Sequence, residues 1–306
     1  MNRPRLRPYM QVDVFTHTAL LGNPLAVVLS AEDLSDAQMQ AFAAWTQLSE
    51  TTFVLPPTEA GCAAGADYRV RIFTPGTELP FAGHPTLGTA AAWLAHGGQP
   101  LCTAQLVQEC GVGLVTLRPE GKGWAFAAPP LQRSTPSPER LASVLAALGL
   151  EADHVLAAQD LDNGPHWLGL WLQDVSTVLS MEPDHAALKN LGIKVGVAAR
   201  RDTTTGLIRR SNREARAFTG GASDTTDIEV RAFAAAVGVP EDPVTGSLNA
   251  SLAQWLMAEN LLPGQYRARQ GTRLGRMGEV NLRRDAAGQV WVGGDVTLCI
   301  QGQVQL

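Results

Sequence analysis

The chain has 306 residues, 45% hydrophobic and 17% charged, with a formal net charge of −5. That length allows two domains with full cores, and the acidic balance gives no general attraction to nucleic acid. Its four cysteines, Cys62, Cys102, Cys110 and Cys299, have neither Cys-x-x-Cys spacing nor a regular framework, which argues against structural zinc and disulfides.

Residues 1–8 read as a loose basic tail with no apolar signal core behind it, and no apolar run is long enough to span a bilayer. A cytoplasmic protein with no membrane partner is expected. Met10, Val12 and Val14 alternate with polar residues as in a half-buried strand, and Gly22-Asn23-Pro24 turns the chain into an apolar strand over Leu25–Leu29. Ser35 with Gln38 forms a capping box for a helix expected to bury Met39, Phe42 and Trp45. Phe53, Val54 and Leu55 open the next strand, with Glu50 at its mouth. Taken alone, Glu50 reads as an exposed loop carboxylate.

Tyr68, Val70 and Ile72 mark a strand, and Gln105–Cys110, Val112–Leu117 and Trp124–Ala128 a meander. The Pro-rich stretch 129–138 is the clearest linker and places the domain boundary after residue 130. The expected halves are 1–130 and 131–294, with a final strand near 295–306 returning to the first. In the second half, residues 141–148 and Pro183–Leu191 read as helices. Trp167–Leu172, Val195–Ala199, Val280–Leu282, Val290–Val292 and Val296–Ile300 read as strands. Six arginines between Arg200 and Arg216 form the one basic cluster. Asp202 and Glu214 lie among them and Asp224 follows, which favours a solvated surface over a phosphate site.

One pattern occurs twice. Arg71-Ile-Phe runs through Phe81-Ala-Gly83-His84-Pro into a small-residue helix ending Trp93-Leu94. Arg231-Ala-Phe runs through Glu241-Asp242-Pro-Val-Thr245-Gly246-Ser247 into one ending Trp255-Leu256. The repeat predicts two similar halves, each presenting a helix N-terminus whose free N–H groups favour an anion such as a carboxylate. Thr245 and Ser247 are residue types that cap helices, and a cap is the structural reading of Ser247 taken alone. Asp242, beside the anion site, is placed to carry a proton. Strands with one main helix per half predict an α+β fold with a bent or barrel-like sheet around each helix.

No Gly-x-Gly-x-x-Gly, Walker or Gly-x-Ser-x-Gly sequence is present, no lysine lies in either glycine turn, and the histidines lack metal-ligand spacing. Acid/base chemistry without a bound cofactor or metal remains.

The segments Ser49-Glu50-Thr51-Thr52, Phe81-Ala-Gly83-His84-Pro and Glu241-Asp242-Pro-Val-Thr-Gly246-Ser247 occur in that order. With Val12-Asp-Val-Phe, Gly22-Asn-Pro, Gln270-Gly271 and Gly275-Arg276-Met-Gly278, they resemble the PhzF-like phenazine-biosynthesis family over nearly the whole chain. The resemblance implies the diaminopimelate-epimerase-like fold, two pseudo-symmetric halves with the site in the cleft between them, and a homodimer. It implies Glu50 as the catalytic acid/base with His84 and Asp242 beside it, and Gly83, Gly246 and Ser247 as groups that bind the substrate. Arg231-Ala-Phe-Ala-Ala departs from the family, which more usually has proline after Phe-Ala.

The resulting expectation is a cofactor-independent isomerase acting on a small carboxylate. Racemisation or epimerisation at an α-carbon is the close rival, disfavoured because neither glycine turn carries a thiol. A non-catalytic metabolite-binding module on the same scaffold is the rival of another class.

Overall fold

The computed structural model describes residues 4–121, 123–201 and 226–306. The arginine cluster therefore lies outside the described residues from position 202 on. Of its first two members, Arg200 donates to the Leu261 carbonyl and Arg201 pairs with buried Glu229.

The first half runs β1 (Leu6–Val14), β2 (Asn23–Val28), α1 (Asp36–Thr46), β3 (Thr51–Leu55), α2 (Glu59–Ala63), β4 (Tyr68–Phe73) and β5 (Glu78–Leu79). It continues with α3 (Gly83–Ala95), β6 (Leu106–Cys110), β7 (Gly113–Glu120) and β8 (Gly123–Ala127). After β9 (Gln132–Ser134) and α4 (Pro138–Leu148) come β10 (Val155–Asp162), β11 (His166–Leu172), α5 (Val175–Ser180), α6 (His185–Leu191) and β12 (Val195–Arg200). The chain ends with β13 (Ile228–Ala234), β14 (Val239–Asp242), α7 (Gly246–Ala258), β15 (Gln265–Gln270), β16 (Gly278–Arg284), β17 (Val290–Gly294) and β18 (Val296–Gln305).

The pairing shows the internal repeat directly. In the first half β1, β2, β3, β4, β6, β7 and β8 are neighbours in that order. Their successive pairings are antiparallel, parallel, antiparallel, parallel, antiparallel and antiparallel. In the second half β10, β11, β12, β13, β15, β16 and β17 repeat the same six senses. The last meander strands, β8 and β17, pair antiparallel and join the halves. The strand that follows each meander then crosses over. β9 adds to β10 of the second half, and β18 returns to β1 of the first.

Each half wraps its sheet around one helix. Helix α3 packs on β1, β2, β3, β8 and β18, while α7 packs on β10, β16 and β17. Both are buried on nearly every side, so neither has the polar stripe of a surface helix. Small residues allow this: a Cβ on Gly88 of α3 would lie 2.6 Å from Leu25 Cδ2. Helices α4, α5 and α6 cover the outer face of β11, β12 and β13 around Leu170, Val197 and Phe233, while α1 covers β2 and β3 around Phe42 and Phe53. No helix among the described residues is long and apolar enough to cross a membrane.

Three expectations change. The α1 capping box is present, but Trp45 is 77% exposed. At 100° per residue it sits about 120° around the helix from Met39, so it leaves the core and stacks on Phe42 at 5.9 Å. The Pro-rich linker contains a short strand, β9, because the crossover needs one there. Neither Thr245 nor Ser247 caps α7: Thr245 is the N-cap residue but makes no side-chain capping bond, and Ser247 lies inside the first turn.

Candidate active site

The two copies of the turn are built alike. In each, the arginine of the Arg-x-Phe strand grips a glutamate on the short strand that follows it. Arg71 Nε and Nη2 reach Glu78 at 2.7 Å each, and Arg231 Nε and Nη2 reach Glu241 at 3.0 and 2.8 Å. Both guanidinium groups also lie over their own phenylalanine, 5.1 Å from Phe73 and 4.9 Å from Phe233. Where proline is absent from the second copy, a 3₁₀ turn over Ala235–Val237 closes on Gly238 at φ 89° and still brings Glu241 back to Arg231. The arginines of the repeat thus set the approach to each helix.

The helices then meet end to end. A Cβ on Gly246 would lie 3.3 Å from Gly83 Cα, and one on Gly83 would lie 2.6 Å from Phe126 Cζ and 3.4 Å from Gly246 Cα. At Gly83 only glycine fits, and at Gly246 a side chain would press on the facing backbone. Ala82 and Thr245, the two N-cap residues, make no side-chain capping bond. Two sets of uncapped N–H groups therefore share one place, which favours a negative charge.

Glu50 is carried there by the loop between α1 and β3, which starts from Gln47 in the left-handed region at φ 56°. Its Oε2 lies 3.5 Å from His84 Nε2, and both atoms are buried without a hydrogen-bond partner. Burial, with a smaller contribution from the nearby Asp242 charge, pushes the Glu50 carboxyl up to about 8. Burial pushes His84 down to about 3, opposed by a hydrogen bond to the backbone of Pro24. Proline offers only a carbonyl, so the ring nitrogen facing it carries the hydrogen and Nε2 turns a lone pair towards Glu50. Asp242 is pushed up to about 6, chiefly by burial, with bonds from Thr245 and Asn23 acting the other way. At neutral pH the set is therefore a protonated Glu50, a neutral His84 and a mostly ionised Asp242. Two carboxyls with separated affinities of this kind suit acid/base work.

All six sequence-predicted residues lie at or beside the meeting of the helices, though not in equivalent roles. Glu50 and His84 face each other, and Gly83 and Gly246 form the floor. Asp242 accepts from Asn23 Nδ2 (3.0 Å) and Thr245 Oγ1 (2.6 Å). Ser247 Oγ accepts from Trp167 Nε1 at 3.2 Å, and its carbonyl accepts from Asn163 Nδ2 at 3.0 Å. Because indole only donates, the Ser247 hydroxyl keeps its own hydrogen for another acceptor.

Sequence reasoning missed the supporting residues. Asn23 and Pro24 belong to the first half, yet Asn23 bonds Asp242 and the Val244 carbonyl while Pro24 holds His84. The signal for them is the Gly-Asn-Pro turn. The signal for Gln270 is its Gln-Gly pair, which carries no role by itself. Gln270 binds the backbone of Thr245 and Asp242 and donates to Thr245 Oγ1. Among the described residues no group of three or more His, Cys, Asp or Glu is placed to hold a metal ion.

The sequence profile of the PhzC-PhzF family, described as phenazine biosynthesis-like protein, matches residues 12–302. The chain belongs to this family. It is 33% identical over 307 residues to the trans-2,3-dihydro-3-hydroxyanthranilate isomerase of Pseudomonas aeruginosa, covering 97% of this chain and 99% of that one. It is 32% identical over 309 residues to Antisense-enhancing sequence 1 of Schizosaccharomyces pombe, covering 96% and 97%. A crystal structure of a PhzF-family phenazine biosynthesis protein from Enterococcus faecalis superposes with a TM-score of 0.75 at 26% identity, covering 99% of this chain and all of that one. The α+β, diaminopimelate-epimerase-like architecture holds, and the protein is an isomerase of the PhzF family.

Proposed function

We propose that the protein is a cofactor-independent isomerase that moves a proton between carbon atoms of a small carboxylate, with Glu50 carrying the proton. One observation supports this above the others. Glu50, pushed up to about 8, faces the His84 lone pair at 3.5 Å beside two uncapped helix N-termini.

The substrate carboxylate sits against the N–H groups at Gly83 and Gly246, with the Ser247 hydroxyl donating to it. In its ionised form Glu50 takes a proton from a substrate carbon, and its raised affinity makes it a stronger base than an exposed carboxylate. The electron pair left behind spreads as an enolate-like charge stabilised by the same helix ends. Glu50 then returns the proton to a different carbon, so the reaction balances without another reactant. His84 Nε2, 3.5 Å away with its lone pair facing Glu50, is placed to accept from the protonated carboxyl and keep it aimed. The Pseudomonas aeruginosa relative is named for an anthranilate derivative, itself a carboxylate, and a substrate of that broad class suits this site.

The test is turnover of unsaturated and α-amino carboxylates by wild type and Glu50→Gln. A general acid/base contributes roughly a hundred- to ten-thousand-fold, and a loss in that range is expected. Wild-type turnover in the variant would remove Glu50 from the mechanism.

A further inference from the structure

Both oxygens of Asp242 are already engaged, and the donors are fixed in direction. Asn23, fully buried, sends one Nδ2 hydrogen to the Val244 carbonyl at 2.8 Å and the other to Asp242 Oδ1 at 3.0 Å. Thr245 sends its hydroxyl hydrogen to Asp242 Oδ2 at 2.6 Å. The hydroxyl cannot reverse without loss, because Gln270 Nε2 donates to Thr245 Oγ1 at 2.9 Å. Gln270 cannot flip either: its Oε1 accepts from the Thr245 backbone N–H at 3.1 Å and from Asn249 Nδ2 at 2.8 Å. A proton on Asp242 would weaken both bonds, because a protonated carboxyl is a poorer acceptor than the carboxylate at which these donors are aimed.

We propose that Gln270, Thr245 and Asn23 are positioning residues that hold Asp242 as a fixed carboxylate, so that its part in the reaction is electrostatic and the moving proton belongs to Glu50 alone. This rests on reading Glu50 as the acid/base and reverses the sequence expectation of Asp242 as a proton carrier. The charged and titratable groups around Asp242 fit the assignment. Glu241, held in its bidentate pair with Arg231, raises the proton affinity of Asp242 only as the last of its causes, and His84 beside Glu50 is uncharged above about 3. Glu50 is left as the group whose proton affinity the Asp242 charge raises. The two halves share the work, since Asn23 comes from the first and Thr245 and Gln270 from the second.

The test needs no substrate, so it stays separate from the functional reading. The carboxyl carbons of Glu50 and Asp242 are followed by 13C NMR from pH 4.5 to 9.5, assigned with Glu50→Gln and Asp242→Asn. In wild type, Asp242 is expected to lose its proton at lower pH than Glu50. Thr245→Val keeps the β-branched shape but removes the donor, and should raise the Asp242 step by about one pH unit. Thr245→Ser should restore it, Asn23→Ala should move it the same way, and Asp242→Asn should lower the Glu50 step. The proposal fails if Asp242 is the later of the two to titrate in wild type. It also fails if Thr245→Val and Asn23→Ala leave Asp242 unmoved. Normal titrations in a protein that turns over no carboxylate would instead count against the proposed function alone.

Discussion

Glu50 has a consequence for stability that is independent of any substrate. Its carboxyl is raised from 4.5 to about 8 in the folded protein. Below pH 4.5 folded and unfolded chains both hold the proton, and its contribution to stability is fully present. As pH rises from 4.5 to about 8 the unfolded chain releases the proton while the folded one keeps it, so stability falls across that window. Gln cannot ionise and presents an amide hydrogen to His84 Nε2. Glu50→Gln is therefore expected to be more stable than wild type at pH 8, by a few kcal/mol at most, with no gain at pH 4. Denaturant midpoints at the two pH values check this, and an equal effect at both would contradict it. His84, pushed down to about 3, acts on the other flank, where burying a neutral ring becomes costly as pH falls below 6.5.

The residues themselves were legible because their neighbours in sequence are unusual. Glu50, His84, Asp242 and Ser247 stand in short separated segments that occur together and in order in this chain. Their directions were not legible. Whether the Ser247 hydroxyl caps its helix or is held by an indole depends on Trp167, 80 positions earlier in the chain. That Asp242 is pinned from both sides depends on Asn23, 219 positions away. Periodicity and turn chemistry do not reach across such separations.

At the scale of elements, the duplicated Arg-x-Phe strand sets two similar clamps in different solvent. Arg231 and Glu241 have side chains 4% and 8% exposed, and Arg231 also donates to the carbonyls of Val178 and Met181. Arg71 is paired with Glu78 and Asp36, whose side chains are 41% and 83% exposed. Breaking a buried pair leaves an uncompensated charge and costs about 3–5 kcal/mol, whereas an exposed pair contributes about 1 kcal/mol or less. Arg231→Met is thus expected to destabilise several-fold more than Arg71→Met by chemical denaturation, despite the matching sequence context. Equal losses would show that the clamps do not differ in the way their burial requires. The strands were legible where apolar residues alternate, as in β1 and β16. Strands β10 and β15 were missed, because Ala-Ala-Gln-Asp and Arg-Ala-Arg-Gln carry polar residues on both parities. Their partners, not their own patterns, make them strands.

At the scale of the whole molecule, the repeat gives each half an identical run of pairings, and β9 and β18 tie the halves by exchange. The duplicated turn and a final strand returning to the first half were expected from the sequence, but not the crossing of β9 into the second half, since pairing partners leave no local mark. The two central helices meet at Gly83 and Gly246. Gly83→Ala would drive a methyl group into the Phe126 ring, and overpacking of that kind costs about 1–3 kcal/mol. The nearest atoms to a methyl at Gly246 are those of the opposite backbone, at 3.3–3.5 Å. Gly246→Ala is expected to keep most of the stability while parting the helix ends and weakening carboxylate binding, read as a raised KM with kcat changed less. A variant that matches wild type in KM would show that this approach does not build the anion site.

The central claim is that Glu50 carries a proton from one substrate carbon to another. It is tested most directly by turning over a carboxylate substrate in deuterated water with wild type and with Glu50→Gln, and reading deuterium at each carbon by mass spectrometry and NMR. Wild type should place deuterium, or an internally returned hydrogen, at the new C–H position. Glu50→Gln should lose both isomerisation and exchange by roughly a hundred- to ten-thousand-fold. Isomerisation and exchange at wild-type rates in Glu50→Gln would contradict the account.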